Sequence, residues 1–195
     1  MVRFSKHALV FLLFSSPVFA QHLDFGFGVG VKGGFPFTDF LESQSGSEMI
    51  TTVHKSSDYI VGPVAELRIP FGFAAEVNAL YRDADYRITT NDLFGTNTYD
   101  AHPHSWEFPY MAKFRFPIPL LKPFVSAGGV YRTLTVPNDV TGSHNGVVLG
   151  GGLELRIKRL RLSGEARWLH YGSSSSNPGV RIVSNQGEFL LGVIF

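Results

Sequence analysis

Residues 25–34 read FGFGVGVKGG, and Gly28-Val29-Gly30-Val31-Lys32-Gly33 has the G-x-G-x-x-G spacing of a turn that cradles a pyrophosphate. That chemistry needs a helix to open at the last glycine, so that its N-terminal amides face the phosphates. Gly34-Phe35-Pro36-Phe37 follows instead, which cannot open a helix, and no βαβ pattern comes after it. At period two the same residues place Phe25, Phe27, Val29 and Val31 on one face, and Gly26, Gly28, Gly30 and Lys32 on the other. A strand is the expectation. Histidines offer a second chemistry. His102-Pro103-His104 lies in one polar stretch with Asp100 close by, and His144 lies in another. H-x-H around a proline is a weak ligand spacing, so solvated loop histidines are expected, with no metal and no cofactor. A third candidate is RWLHYGSSSSNPG, with His170 as a base, the serines that follow as nucleophiles, and Asn177 beyond them. The nearest serine, Ser173, is three residues on, and in an extended strand it falls on the opposite face from His170. A base must reach its nucleophile within hydrogen-bond distance, so no catalytic residue is assigned.

The fourth pattern is ionic. Glu66-x-Arg68, Glu154-x-Arg156 and Glu165-x-Arg167 each place a carboxylate and a guanidinium two residues apart, on one face of a strand. They sit in segments that alternate as FGFGVGV does. Tyr59 to Ile69, Phe73 to Arg82, Trp106 to Phe116, Pro123 to Leu134, Val147 to Ile157, Leu160 to Trp168 and Phe189 to Phe195 complete eight strands of about ten residues, the length at which a tilted strand crosses a bilayer. Pro70-Phe71-Gly72, Pro117 to Leu121 and Lys158-Arg159 make three tight turns. Long polar connections near 41–57, 87–104, 135–145 and 172–185 lie at the other end. An eight-stranded antiparallel up-and-down barrel with short turns at one end and four long loops at the other has the polarity of an outer-membrane barrel.

Composition agrees. The chain is 44% hydrophobic and 17% charged, with 21 glycines and no cysteine. Backbone pairing and packing must therefore hold it without disulfides. A formal net charge of +1 gives no reason to expect a nucleic-acid partner. Arg3, Lys6 and His7 precede the apolar run Ala8 to Phe14, and Val18-Phe19-Ala20 ends the segment in a small residue. Residues 1–20 are read as a secretory signal cleaved after Ala20, and residues 21–195 as one barrel domain.

The polar face decides which side is inside. It carries Lys32 in the first strand, Glu66 and Arg68 in the second, and Glu76 and Arg82 in the third. Glu107 and Lys113 follow in the fourth, Arg132 in the fifth, Glu154 and Arg156 in the sixth, Glu165 and Arg167 in the seventh, and Glu188 in the eighth. Mixed charges beside small residues suit a narrow bore, where opposite signs neutralise each other. The apolar rows then face lipid, with Tyr59, Tyr81, Trp106, Phe108, Phe116, Trp168 and Phe195 toward the strand ends. Arg156→Ala or Arg167→Ala is expected to destabilise more than loss of a loop charge. The alternative is a secreted soluble barrel with its apolar rows turned inward around a small apolar ligand. An aqueous pore does not fit eight strands.

The signal segment, FGVGVKGGFPFTDF, GPVAELRIPFGFAAEVNALYR and NQGEFLLGVIF together resemble the small OmpA- and OmpX-like outer-membrane β-barrel domain proteins, over residues 23–195. The resemblance implies a location in the outer membrane, contact with its lipid and lipopolysaccharide, and a structural or surface-binding role (adhesion or envelope integrity) with an unidentified ligand at the long loops. It also implies that Phe189, Leu191, Val193 and Phe195 form a terminal signal read by the barrel-assembly machinery. A lipid A-modifying barrel enzyme, a deacylase or acyltransferase, is the alternative function, because RWLHYGSSSSNPG looks superficially similar to the deacylase arrangement.

Overall fold

The computed structural model describes residues 25–38, 41–43, 49–54, 58–83, 86–92, 95–101, 104–135, 144–172 and 180–195. Eight antiparallel strands close into a barrel: β1 Gly26–Pro36, β2 Tyr59–Arg68, β3 as Phe73–Asn78 and Leu80–Asp83, β4 His104–Arg115, β5 Leu121–Thr135, β6 Asn145–Ile157, β7 Leu160–Tyr171 and β8 Asn185–Ile194. Each strand pairs with its chain neighbours, and β1 pairs with both β2 and β8, so no edge of the barrel is left open. Closure satisfies every ladder within the sheet, which a strand-built membrane span requires. No helix among the described residues is long and apolar enough to cross a membrane, which says nothing of a barrel.

The alternation settles the direction of the faces. Val29, Val31, Leu67, Val77, Tyr110, Val125, Leu149 and Leu191 are exposed on the outer wall. Lys32, Glu66, Arg82, Glu107, Lys113, Arg132, Glu165 and Arg167 are buried in the bore. This is the reverse of a soluble fold, and it overturns the secreted-carrier alternative. Outward rings form two girdles. Toward the long connections Tyr81 packs on Tyr59 and Trp106, with centroids 6.3 and 5.4 Å away. Toward the short turns Phe114 packs on Phe73 and Phe116 at 5.0 and 5.3 Å. Amphipathic Tyr and Trp thus join Phe35, Phe108 and Phe189 at one interface, and Phe alone marks this cluster at the other.

The glycines of the G-x-G-x-x-G stretch serve closure. A Cβ at Gly30 or Gly34 would collide with the carbonyl oxygens of Val193 and Phe189, so β1 lies against β8 more closely than a side chain allows. β3 is interrupted at Ala79, and prolines explain the break. Pro63 stands opposite Ala79 in the register that pairs Val64 with Asn78 and Val61 with Tyr81. It has no N–H to give, leaving a single bond from Ala79 N to Pro63 O at 3.1 Å. The face pattern survives the break, with Asn78, Leu80 and Arg82 all turned inward. Each short turn holds one non-glycine residue in the left-handed region: Phe71 at φ 67°, Leu120 at 69° and Lys158 at 55°.

Among the described residues, the connections at the other end contain further strands. Met49–His54 pairs with Tyr86–Asp92, which pairs with Gly95–Ala101 in a three-stranded sheet. Leu41–Ser43 pairs with Val180–Ile182. Threonine and isoleucine in MITTVH and YRITTND carry β propensity that the polar composition around them masks.

Candidate functional site

Inward side chains arrange themselves in tiers along the bore. Glu76 is the hub of the tier toward the short turns. Its carboxylate accepts from Lys32 Nζ at 2.6 Å, Lys113 Nζ at 2.5 Å, Arg167 Nη2 at 2.9 Å and Asn78 Nδ2 at 3.1 Å. Glu165 shares two of these cations, Lys32 at 2.6 Å and Arg167 at 2.9 Å, and accepts from Ser126 at 3.1 Å. Lower down, Glu66 is held by Arg115 and Arg161, and Arg115 Nε also donates to Glu154 at 3.0 Å. Lys113 lies over the Phe124 ring at 4.2 Å. Charges taken out of water at this density are costly unless paired and hydrogen-bonded, and here each carboxylate is in direct contact with a cation.

The tier toward the long connections is built differently. Arg82 Nη1 donates to Gln186 Oε1 at 2.6 Å but stands 3.7 Å from Glu107, and Arg167 Nη1 stands 3.6 Å from Glu188. None of the four carboxylate oxygens of Glu107 and Glu188 accepts a hydrogen bond, although both residues are buried. Arg132 lies over the Tyr171 ring at 3.5 Å. Apolar inward residues separate the tiers along the strands. Met111 lies between Glu107 and Lys113, Val130 between Ser126 and Arg132, and Leu169 between Arg167 and Tyr171. Ile60, Leu80 and Leu190 cluster likewise.

Of the ionic residues expected in the bore, Lys32, Glu66, Glu76, Arg82, Glu107, Lys113, Arg132, Glu154, Glu165, Arg167 and Glu188 are buried. Arg68 and Arg156 differ. Arg68 is half-buried and Arg156 is exposed, its Nε 3.4 Å from the Lys158 carbonyl. Both stand on the inward face but at the last residues before a turn, where the bore opens to solvent. Arg115 and Arg161 join the network without having been expected there, although Arg115 lies two residues from Lys113 on the same face. The apolar inward residues were not expected either.

The remaining candidates lie on the outer rim. His170 is exposed, its Nδ1 2.7 Å from Asn185 Oδ1 and its ring stacked on Trp168 at 5.7 Å. Its polar partner is thus an amide from β8; Ser173 and Asn177 lie outside the described residues. His104 packs on Tyr81 at 6.1 Å and His144 on Tyr131 at 5.9 Å. His102 lies outside the described residues, and among those described no group of three His, Asp or Glu is placed to hold a metal. Residues 1–20 also lie outside them.

A closed barrel of eight strands, apolar outside and ionic inside, defines a membrane-spanning β-barrel. The chain belongs to the outer membrane protein beta-barrel domain family, whose model matches residues 7–193, and its place is the outer membrane. The crystal structure of Neisserial surface protein A is similar in fold, with a TM-score of 0.53 at 15% identity over 86% of this chain and 95% of that one. The N-terminal barrel domain of Pseudomonas aeruginosa OprF also matches, at 14% identity over 88% of this chain and 100% of that one, with a TM-score of 0.42. No curated protein matches the sequence.

Proposed function

We propose that the protein is a structural, non-enzymatic component of the outer membrane whose long connections bind a partner at the cell surface. The observation that carries this reading is the bore. Direct ion pairs around Glu76 and Glu66, together with the apolar side chains between the tiers, fill it, so the barrel acts as a scaffold and not as a channel. The paired segments Met49–His54, Tyr86–Asp92 and Gly95–Ala101 supply a surface whose shape the backbone itself maintains, as adhesion or envelope contacts require. Planar-bilayer recordings test the first half: the purified barrel is expected to add no steady conductance, and discrete ohmic steps would count against the scaffold role. Replacing residues 49–54 and 86–101 by short Gly-Ser turns tests the second. It should leave the barrel folded and abolish surface attachment of cells. Unchanged attachment argues against a binding role, and deacylation or acyl transfer on purified lipid A would bring the enzymatic reading forward.

Export and assembly follow the same reading. Residues 1–20 direct secretion and are removed after Ala20, which N-terminal sequencing of the outer-membrane protein checks through an expected start at Gln21. Phe189, Leu191, Val193 and Phe195 share the outward row of β8 and act as the assembly signal. Deleting Phe195 should lower the yield of folded barrel in cells several-fold while leaving refolding from urea unaffected. A normal cellular yield would remove the signal from that row.

A further inference from the structure

Two of the three short turns carry no polar side chain. Pro70-Phe71-Gly72 joins β2 to β3, and Pro117-Ile118-Pro119-Leu120 joins β4 to β5. Phe71 and Leu120 stand in the left-handed region, at φ 67° and 69°, where glycine or asparagine is the ordinary choice. Both side chains are exposed, and Leu120, at 76%, is the most exposed large apolar residue among those described. In water, backbone strain and apolar exposure would be two separate costs. The turns are also poor in backbone donors. Pro70, Pro117 and Pro119 have no N–H, and the amides of Ile118 and Leu121 donate inside their own turn, to Phe116 O at 2.8 Å and Pro119 O at 2.9 Å. The third turn, Lys158-Arg159, is exposed and cationic.

The two apolar turns continue a surface that already faces lipid. Phe73 packs on Phe114 at 5.0 Å and Phe114 on Phe116 at 5.3 Å, so the outward girdle links one turn to the other. Phe71, Phe73, Phe116, Ile118 and Leu120 are all exposed along this edge. Continuity with the lipid-facing wall names the occupant. The boundary of headgroups and acyl chains solvates apolar side chains and offers few partners to free amides, which suits turns depleted of donors. We propose that the β2–β3 and β4–β5 turns form an apolar lip inserted into the periplasmic leaflet, while Lys158 and Arg159 meet its phosphates at the surface. The partner of this lip is the lipid itself, and the turns on the two flanks of the barrel lie at different depths. Left-handed backbone at Phe71 and Leu120 is then the cost of presenting a large apolar side chain at the tip of a tight turn.

Because the chain has no cysteine, single labels can measure depth. Phe71→Cys, Leu120→Cys and Lys158→Cys, each carrying a nitroxide, are folded as full barrels into vesicles of phosphatidylethanolamine and phosphatidylglycerol. Power saturation compares collisions with oxygen, which concentrates in hydrocarbon, against collisions with a water-soluble nickel chelate. The oxygen-to-nickel ratio is expected to be several-fold higher for the labels at 71 and 120 than for the label at 158. A ratio at 71 or at 120 no higher than that at 158 would overturn the lip. A nitroxide is itself apolar, so a second measurement uses unlabelled protein. Phe71→Asp combined with Leu120→Asp installs side chains that tolerate a left-handed backbone. For turns in water this relieves strain and raises the urea midpoint. For turns in the leaflet, two lost apolar contacts and two carboxylates short of water outweigh that relief. The midpoint in the same vesicles is therefore expected to fall while heat-modifiable migration is kept, and an unchanged or raised midpoint places the lip in water and overturns the proposal.

Discussion

The two ionic tiers of the bore both set buried carboxylates beside cations and are held together by different physics. Around Glu76 and Glu66 every carboxylate is in direct contact with Lys or Arg, and Glu76 alone accepts from four donors. Around Glu107 and Glu188, Arg82 and Arg167 stand 3.7 and 3.6 Å away, and the oxygens accept no hydrogen bond. Burial is the same; satisfaction is not. Opposite charges in a bore are therefore no measure of stability by themselves. What counts is whether hydrogen bonds replace the lost hydration, because a buried polar group left unmet costs about 1–3 kcal/mol. The tier beside the short turns thus anchors the barrel, and the tier beside the long connections is the weaker one.

Substitutions can break or sharpen that contrast. The largest effect is expected for Glu76→Ala, which leaves Lys32 and Arg167 to share Glu165 and Lys113 with only Glu66 at 3.8 Å, and should cost about 3–5 kcal/mol. Urea titration of the barrel in lipid vesicles reads it, and a wild-type midpoint would erase the distinction between the tiers. Arg167→Ala should come next, because its guanidinium serves Glu76 and Glu165 at once. Glu188→Gln in the opposite tier removes a carboxylate without breaking a hydrogen bond and is expected to change stability by no more than about 1 kcal/mol, in either direction. A loss as large as that of Glu76→Ala would show the two tiers to be equivalent. Arg156→Ala, at the exposed mouth, should fall within about 1 kcal/mol of the wild type, as surface charges do. This replaces the expectation from sequence that Arg156 and Arg167 behave alike. The smallest change is that of Lys158→Gly, which relieves a left-handed backbone at a tight turn and should stabilise by about 0.5–1 kcal/mol, visible as a slower unfolding rate in urea. Lys158→Val should act in the opposite sense.

Much of the candidate network could be read from parity. Lys113 and Arg115, or Glu165 and Arg167, share a face whatever the barrel does, because successive side chains of a strand point to opposite sides. Parity is silent about height. Glu66-x-Arg68 and Glu154-x-Arg156 look like equivalents of Glu165-x-Arg167, yet only the last pair lies wholly within the closed bore, with a direct bond at 2.9 Å. The other two reach the mouth, where the strands end. The prolines were legible as residues and not as consequences: Pro63 interrupts β3 only because the register sets it opposite Ala79. The pairing of Met49–His54 with Tyr86–Asp92 joins segments too far apart in the chain for local composition to reveal.

The sequence by itself determined the number of spanning strands, the polarity of long and short connections, and which rows face lipid. All three are carried by a period-two pattern and by turn residues acting over a few positions. Only the tertiary structure decided which charges meet, since Lys32 finds Glu165 across 133 residues through the stagger of the closed sheet. That stagger is a property of all eight strands at once. It brings one set of carboxylates into direct contact with cations and keeps another at a distance.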